Sequence, residues 1–112
     1  MSVINQDILK ETERKYYQKF VLNDLKAMPK NAVSKAVLEK MWVYHIETLV
    51  DAANYIQLSY QAFIKAMSQA RSPKTNNKLA DFLGVECIDL VRLYHDDEAN
   101  AKAQQWFDEL AK

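Results

Sequence analysis

Apolar residues recur along this chain at helical spacing, three or four positions apart, and short polar or proline-bearing stretches interrupt them. From Asn5 to about Ala27, Ile8, Tyr16 or Tyr17, Phe20, Val21, Leu22 and Leu25 return in this way, with Lys10, Arg14, Lys15 and Lys19 between them, predicting a first helix. AMPKNAVS ends it, because Pro29 cannot continue a helix and Asn31 and Ser34 are turn or cap residues. Ser34 is expected to open a second helix through about His45, with Val37, Leu38, Met41, Trp42 and Tyr44 or His45 turned inward. A short third helix is predicted from about Thr48 to Ile56, with Thr48 as N-cap and Asp51 three residues on in a capping-box-like pair. After a corner at Gln57-Leu58-Ser59, Ser59 caps a fourth helix, YQAFIKAMSQA, with Phe63, Ala66 and Met67 on one face.

RSPKTNN is predicted to be loop, since Pro73, Asn76 and Asn77 are turn formers. KLADFLGV reads as a short helix ended by Gly84 in the left-handed conformation, CIDLVRLYHDD as another, and DEANAKAQQWFDELAK as a last one packing Trp106, Phe107 and Leu110. There is no internal repeat and no low-complexity segment. With one glycine and two prolines in 112 residues there is little room for hairpins, so the expectation is a single all-α domain.

Cysteine usage and hydropathy narrow the classes. The lone Cys87 excludes an internal disulfide, and its apolar neighbours Val85 and Ile88 suggest a buried filler. The polar N-terminus MSVINQDILKETERK is unlike a signal peptide and the apolar runs are too short to span a bilayer, so a cytoplasmic protein of bacterial or phage type is expected. No glycine-rich phosphate loop, HExxH or ordered Ser/His/Asp set is present, so catalysis is not expected. His45 and His95 stand apart from other metal ligands, and neither a metal nor a cofactor is implied. Tyr44, Tyr55, Tyr60 and Tyr94 fall on different predicted helices and suggest no stacking platform.

Charge changes the picture more. The formal total is zero, but residues 1–51 carry a net +1, residues 52–80 carry +4 with no acid at all, and residues 81–112 carry −5. An acid-free stretch containing Lys65, Arg71, Lys74 and Lys78, in a chain that is 27% charged, is a local signal for an anionic partner. It also contains the tightest corner. A helix-turn-helix needs a small residue where two helices cross, apolar residues on the facing sides and a short turn. Ala53 supplies the first, Ile56, Leu58 and Phe63 the second, and Gln57 stands where such turns usually carry glycine.

The ordered run LVDAANYIQLSYQAFIKAMSQARSPKTNNKLADFLGVECIDLV resembles the Xre/Cro family of lambda-repressor-like DNA-binding domains. In that family a helix-turn-helix is followed by a polar loop and then by LAxxLGVxxxxL, here Leu79 to Val85 and then Leu90. The resemblance covers about Ser34 to Leu93, and LADFLGVECIDLVRLY, itself helix-turn-helix-like, becomes the fourth and fifth helices because Glu86, Asp89, Asp96 and Asp97 would repel phosphates. It implies a five-helix domain at residues 34–93, an N-terminal helical extension at 1–33 and an acidic C-terminal helix at 94–112.

The resemblance further implies that Tyr60, Gln61 and Lys65, with Ser59 at the helix start, read base edges. The helix N-terminus at Thr48 and the residues Arg71, Lys74, Asn76 and Lys78 would hold phosphates. The chain departs from the family at Ile64, where a polar residue is usual, at Ala70, where Gly is common, and at Trp42 and Met67, which replace a frequent Arg–Glu pair. The implied function is sequence-specific binding of double-stranded DNA by a homodimer, giving repression. The terminal helices, with Tyr16, Phe20, Trp106 and Phe107 as exposed candidates, would form the dimer or pair with one another as basic and acidic helices. The alternative is a helical protein-interaction module (an antitoxin, adaptor or immunity-type protein) whose target is another protein.

Overall fold

In a computed structural model, which describes residues 12–18 and 28–110, every regular element is helical. Residues 12–18 are helical and are labelled α1; then follow α2 (Ala32–Tyr44), α3 (Leu49–Tyr55), α4 (Tyr60–Ser68), α5 (Pro73–Leu83), α6 (Cys87–Tyr94) and α7 (Asp97–Leu110). The remainder of the predicted first helix, including Phe20, lies outside the described residues. Among the described residues no helix is long and apolar enough to cross a membrane.

α2 is the central element, packing against α4, α5, α6 and α7. Its start is Asn31 rather than Ser34: Asn31 Oδ1 accepts the Ser34 N–H at 2.9 Å, and Ser34 Oγ accepts the Asn31 N–H at 3.1 Å. Ser34 is therefore the third helical residue of a reciprocal capping box. It is fully buried, which costs little because its hydroxyl also donates to the Pro29 carbonyl at 2.5 Å. Val33, Val37, Leu38 and Met41 turn inward at helical spacing and meet Phe63, Met67, Leu79, Leu90 and Phe107 in one core.

α5 begins earlier than the composition of RSPKTNN suggests. Ser72 caps it, accepting the Thr75 N–H, and Pro73 occupies the first helical position, where its missing N–H costs nothing and its fixed φ suits the helix. The connection between α4 and α5 is residues 69–72, so the predicted loop is helical from Pro73 onward and the predicted fourth helix stops two residues early, at Ser68.

α7 corrects a third expectation. Phe107 is 1% exposed, a core residue of its own chain and not available to a partner. Trp106 is half-buried with its ring 5.0 Å from Tyr17, edge to face, and Tyr16 lies 5.1 Å from the Trp42 ring while donating its hydroxyl to the Ile46 carbonyl. Asn100 fastens the helix further, accepting the Ala32 N–H at 2.9 Å and donating to the Tyr94 carbonyl at 3.2 Å. Tyr16 and Trp106, half-buried, join α1 and α7 to the body of the domain through these ring contacts, and of the described aromatic residues proposed for dimerisation only Phe107 is withdrawn into the core.

Three helices end alike. After α2, α3 and α5 the chain passes through a left-handed residue, His45 (φ 60°), Gln57 (φ 60°) and Gly84 (φ 73°). In each, the next amide reaches back to close the last turn, as Ile46 to Met41, Leu58 to Ala53 and Val85 to Ala80, at 2.9–3.0 Å. Only Gly84 is a glycine, so the other two ends carry the steric cost of a Cβ in that conformation, roughly 1–2 kcal/mol. Gln57→Gly is therefore expected to stabilise the domain by about 0.5–1 kcal/mol after the entropy of the added glycine is subtracted. Gly84→Ala should destabilise through the backbone alone, since its Cβ would lie an ordinary 3.5 Å from Lys40 Nζ. Chemical denaturation of the two variants reads both signs; a less stable Gln57→Gly protein would contradict the account.

Candidate nucleic-acid interface

The α3–α4 corner is built by local chemistry at both ends of α3. Thr48 Oγ1 accepts the Asp51 N–H at 3.0 Å, so Thr48 is an exposed N-cap. Ala52 and Ala53 are buried and their short side chains let α4 pack close. Gln57 then turns the chain, and Ser59 caps α4 by accepting the Ala62 N–H at 3.1 Å.

α4 is held from inside and from its C-terminal end. Phe63, Ala66 and Met67 are fully buried. Tyr60 and Ile64 are half-buried against the same core, which accounts for Ile64 on a helix otherwise polar on its outer side. Carbonyls in the last turn of a helix lack helical partners. Here the Tyr94 hydroxyl of α6 donates to the Ala66 carbonyl, and Asn31 Nδ2 donates to the Met67 carbonyl at 3.0 Å. Two side chains from two other elements thereby fix the direction in which α4 points.

Gln61 and Lys65, four residues apart on one stripe, are exposed, with Ser59 exposed at its start. Tyr60 leans into the core beside them. The loop after α4 adds exposed Arg71, and the first turn of α5 adds exposed Lys74. The ion pairs found among the described residues are Lys35–Glu39 and Lys102–Glu98, so Lys65, Arg71, Lys74 and Lys78 have no carboxylate partner within 4.0 Å.

Two residues expected to hold phosphates have internal work, which withdraws Asn76 altogether and occupies one donor of Lys78. Asn76 is buried, its Oδ1 accepting the Arg71 N–H at 2.8 Å and its Nδ2 donating to the Arg71 carbonyl at 3.0 Å. It braces the loop that presents Arg71. Lys78 is half-buried and its Nζ donates to the Gln57 carbonyl at 2.9 Å, tying α5 to the corner.

The sequence reading missed an aromatic cluster. Tyr44 and Tyr55 stack with ring centroids 5.8 Å apart, and each meets Phe82 edge to face at 5.6 and 5.8 Å. Tyr55 is 62% exposed and Tyr44 42%. The three rings come from α2, α3 and α5, so no periodicity along one segment could have signalled them.

Tyr94 offers a test of how α4 is held. Burial, with a smaller contribution from the nearby Cys87, pushes its phenol up to about 12 from an ordinary value of 10.0. A folded-state value above the unfolded one favours the neutral phenol, so its contribution is complete below pH 10 and is lost as pH climbs from 10 through 12. Tyr94→Phe should cost about 1 kcal/mol at neutral pH, through the lost bond to Ala66, and should show a shallower alkaline decline in urea midpoint. An unchanged alkaline limb would contradict this assignment.

Comparison with known proteins finds no matching family model, no matching curated protein and no matching solved structure.

Proposed function

We propose that this chain is a sequence-specific double-stranded DNA-binding protein of the Xre/Cro, lambda-repressor-like type, with α3–α4 as its helix-turn-helix and α4 as the reading helix. The observation that carries the reading is the corner itself. A left-handed Gln57 joins a short Thr48-capped helix to a Ser59-capped one whose exposed stripe bears Gln61 and Lys65, within an acid-free stretch of the chain. In this reading Gln61 makes paired hydrogen bonds to adenine, Lys65 reaches guanine acceptors, and the exposed edge of Tyr60 packs against a thymine methyl. Ser59 stands with them at the start of the helix, while Thr48, Arg71 and Lys74 engage phosphates and set register. One copy covers little DNA, so two copies would read half-sites roughly 34 Å apart, and occupancy would exclude polymerase.

Selection of bound sequences from a random duplex pool tests the proposal. Enrichment of a two-fold symmetric site, with affinity falling steeply with salt, is the expected result. A pool that stays random after repeated rounds would overturn it. The second reading, a module whose target is a basic protein, draws on the exposed Glu86, Asp89, Asp96, Asp97, Glu98 and Asp108 of the α6–α7 side. Capture of a specific protein by the chain, abolished by changes around Trp106 and indifferent to Lys65→Glu, would favour it.

A further inference from the structure

We propose that the hollow beside the α3–α4 corner binds a free aromatic amino acid, whose ring packs on Tyr44, Tyr55 and Phe82 while its carboxylate and ammonium groups pair with Lys78 and Asp81. The hollow has a volume of about 330 Å³ and is lined by those five residues together with Ile56 and Gln57. That is the lower end of the range, about 300–1,000 Å³, in which small-molecule sites fall. Its walls are suited to a planar ring, because three aromatic side chains meet there and the two tyrosines remain open to solvent.

The charges choose among ring-bearing ligands. Lys78 and Asp81 lie three residues apart on α5 and both line the hollow. The Asp81 carboxylate is exposed and has no hydrogen-bond or ion-pair partner, and Lys78 uses one of its three donors on Gln57. An aryl amine would satisfy Asp81 but face Lys78, and an aryl carboxylate would satisfy Lys78 but face Asp81. A zwitterion with an aromatic side chain satisfies both.

Occupancy reaches the corner through one atom. The Gln57 carbonyl accepts from Lys78 Nζ at 2.9 Å, so a ligand carboxylate that takes the two remaining donors pulls the ammonium toward itself and weakens that bond. Gln57 is the left-handed residue on which α4 turns, so loosening that bond alters how α4 is presented. That consequence for DNA rests on the proposed function; the binding site does not.

The experiment is calorimetric titration of the full chain, without DNA, with L-tryptophan, L-phenylalanine and L-tyrosine, alongside tryptamine and indole-3-propionate. Saturable binding of at least one of the three amino acids is expected. Each analogue, lacking one charge, should bind about tenfold or more weakly than tryptophan. Tyr55→Ala and Asp81→Asn, both at exposed positions, should weaken binding about tenfold or more while remaining folded with a cooperative thermal melt. The backbone amide resonances of Gln57 and Leu58 should shift on saturation. No saturable binding, equal binding of the analogues, binding undiminished in either folded variant, or unmoved amides at the corner would each overturn the inference. Because no arm contains DNA, failure here is separate from failure of the duplex selection.

Discussion

Reversing charge at Lys65 and Arg71 together is expected to lower affinity for a selected duplex by about 10²–10³-fold at moderate salt. The two residues contribute differently. Lys65 stands one turn into α4 on the stripe shared with Gln61, so Lys65→Ala should cost about 1–3 kcal/mol and relax preference at one base position. Arg71 sits in the loop braced by Asn76, so Arg71→Ala should weaken all sequences alike and flatten the logarithmic salt dependence by about one unit. Both side chains are exposed and unpaired with any carboxylate, so the variants should melt like the parent. Duplex affinity measured across a salt series separates the roles. Affinity untouched by the double reversal would remove α4 as the reading element.

Asn31→Ala should lower stability by about 2–3 kcal/mol, a large share of what a domain of this size possesses. One side chain serves two helices: its oxygen caps α2 through the Ser34 amide and its nitrogen satisfies the Met67 carbonyl at the end of α4. Loss of the cap is worth about 1 kcal/mol and can reach about 2. The stranded carbonyl adds about 1 kcal/mol. Asn31→Ser divides the two terms, since serine still caps but is too short to be expected to reach Met67. Urea denaturation of both variants should place Asn31→Ser between Asn31→Ala and the parent. Equal stability of Asn31→Ser and Asn31→Ala would mean that the cap is worth nothing here, and the capping geometry would need another explanation.

What was legible in the chain was what short-range chemistry decides. Thr48 and Ser59 announce helix starts because a hydroxyl can serve the amides that follow it, and Gly84 announces an end because it alone accepts positive φ without strain. The buried stripe of α4 was equally readable, since Phe63, Ala66 and Met67 repeat at helical spacing. Pro73 misled because the same residue ends one helix and begins another, and only the serine before it distinguishes the cases. Asn76 and Lys78 were assigned to phosphates by the family resemblance, yet their partners in the fold are a backbone five residues back and a carbonyl across the corner. Phe107 and the three-ring cluster depend on which helices end up adjacent, and a linear pattern carries no such information.

The position of α7 bears on how the protein is made. α2 is central, and one of its flanks is covered by a helix that leaves the ribosome only after every element it supports. While α3 and α4 are already outside the exit tunnel, α2 is still open on the side that Phe107 and Asn100 will cover. A nascent chain halted before Asp97 would hold the whole corner in sequence and lack one wall of its support. Correct presentation of α4 thus waits on the emergence of α7, so polypeptides cut short upstream of α7 would compete poorly for whatever the folded domain binds.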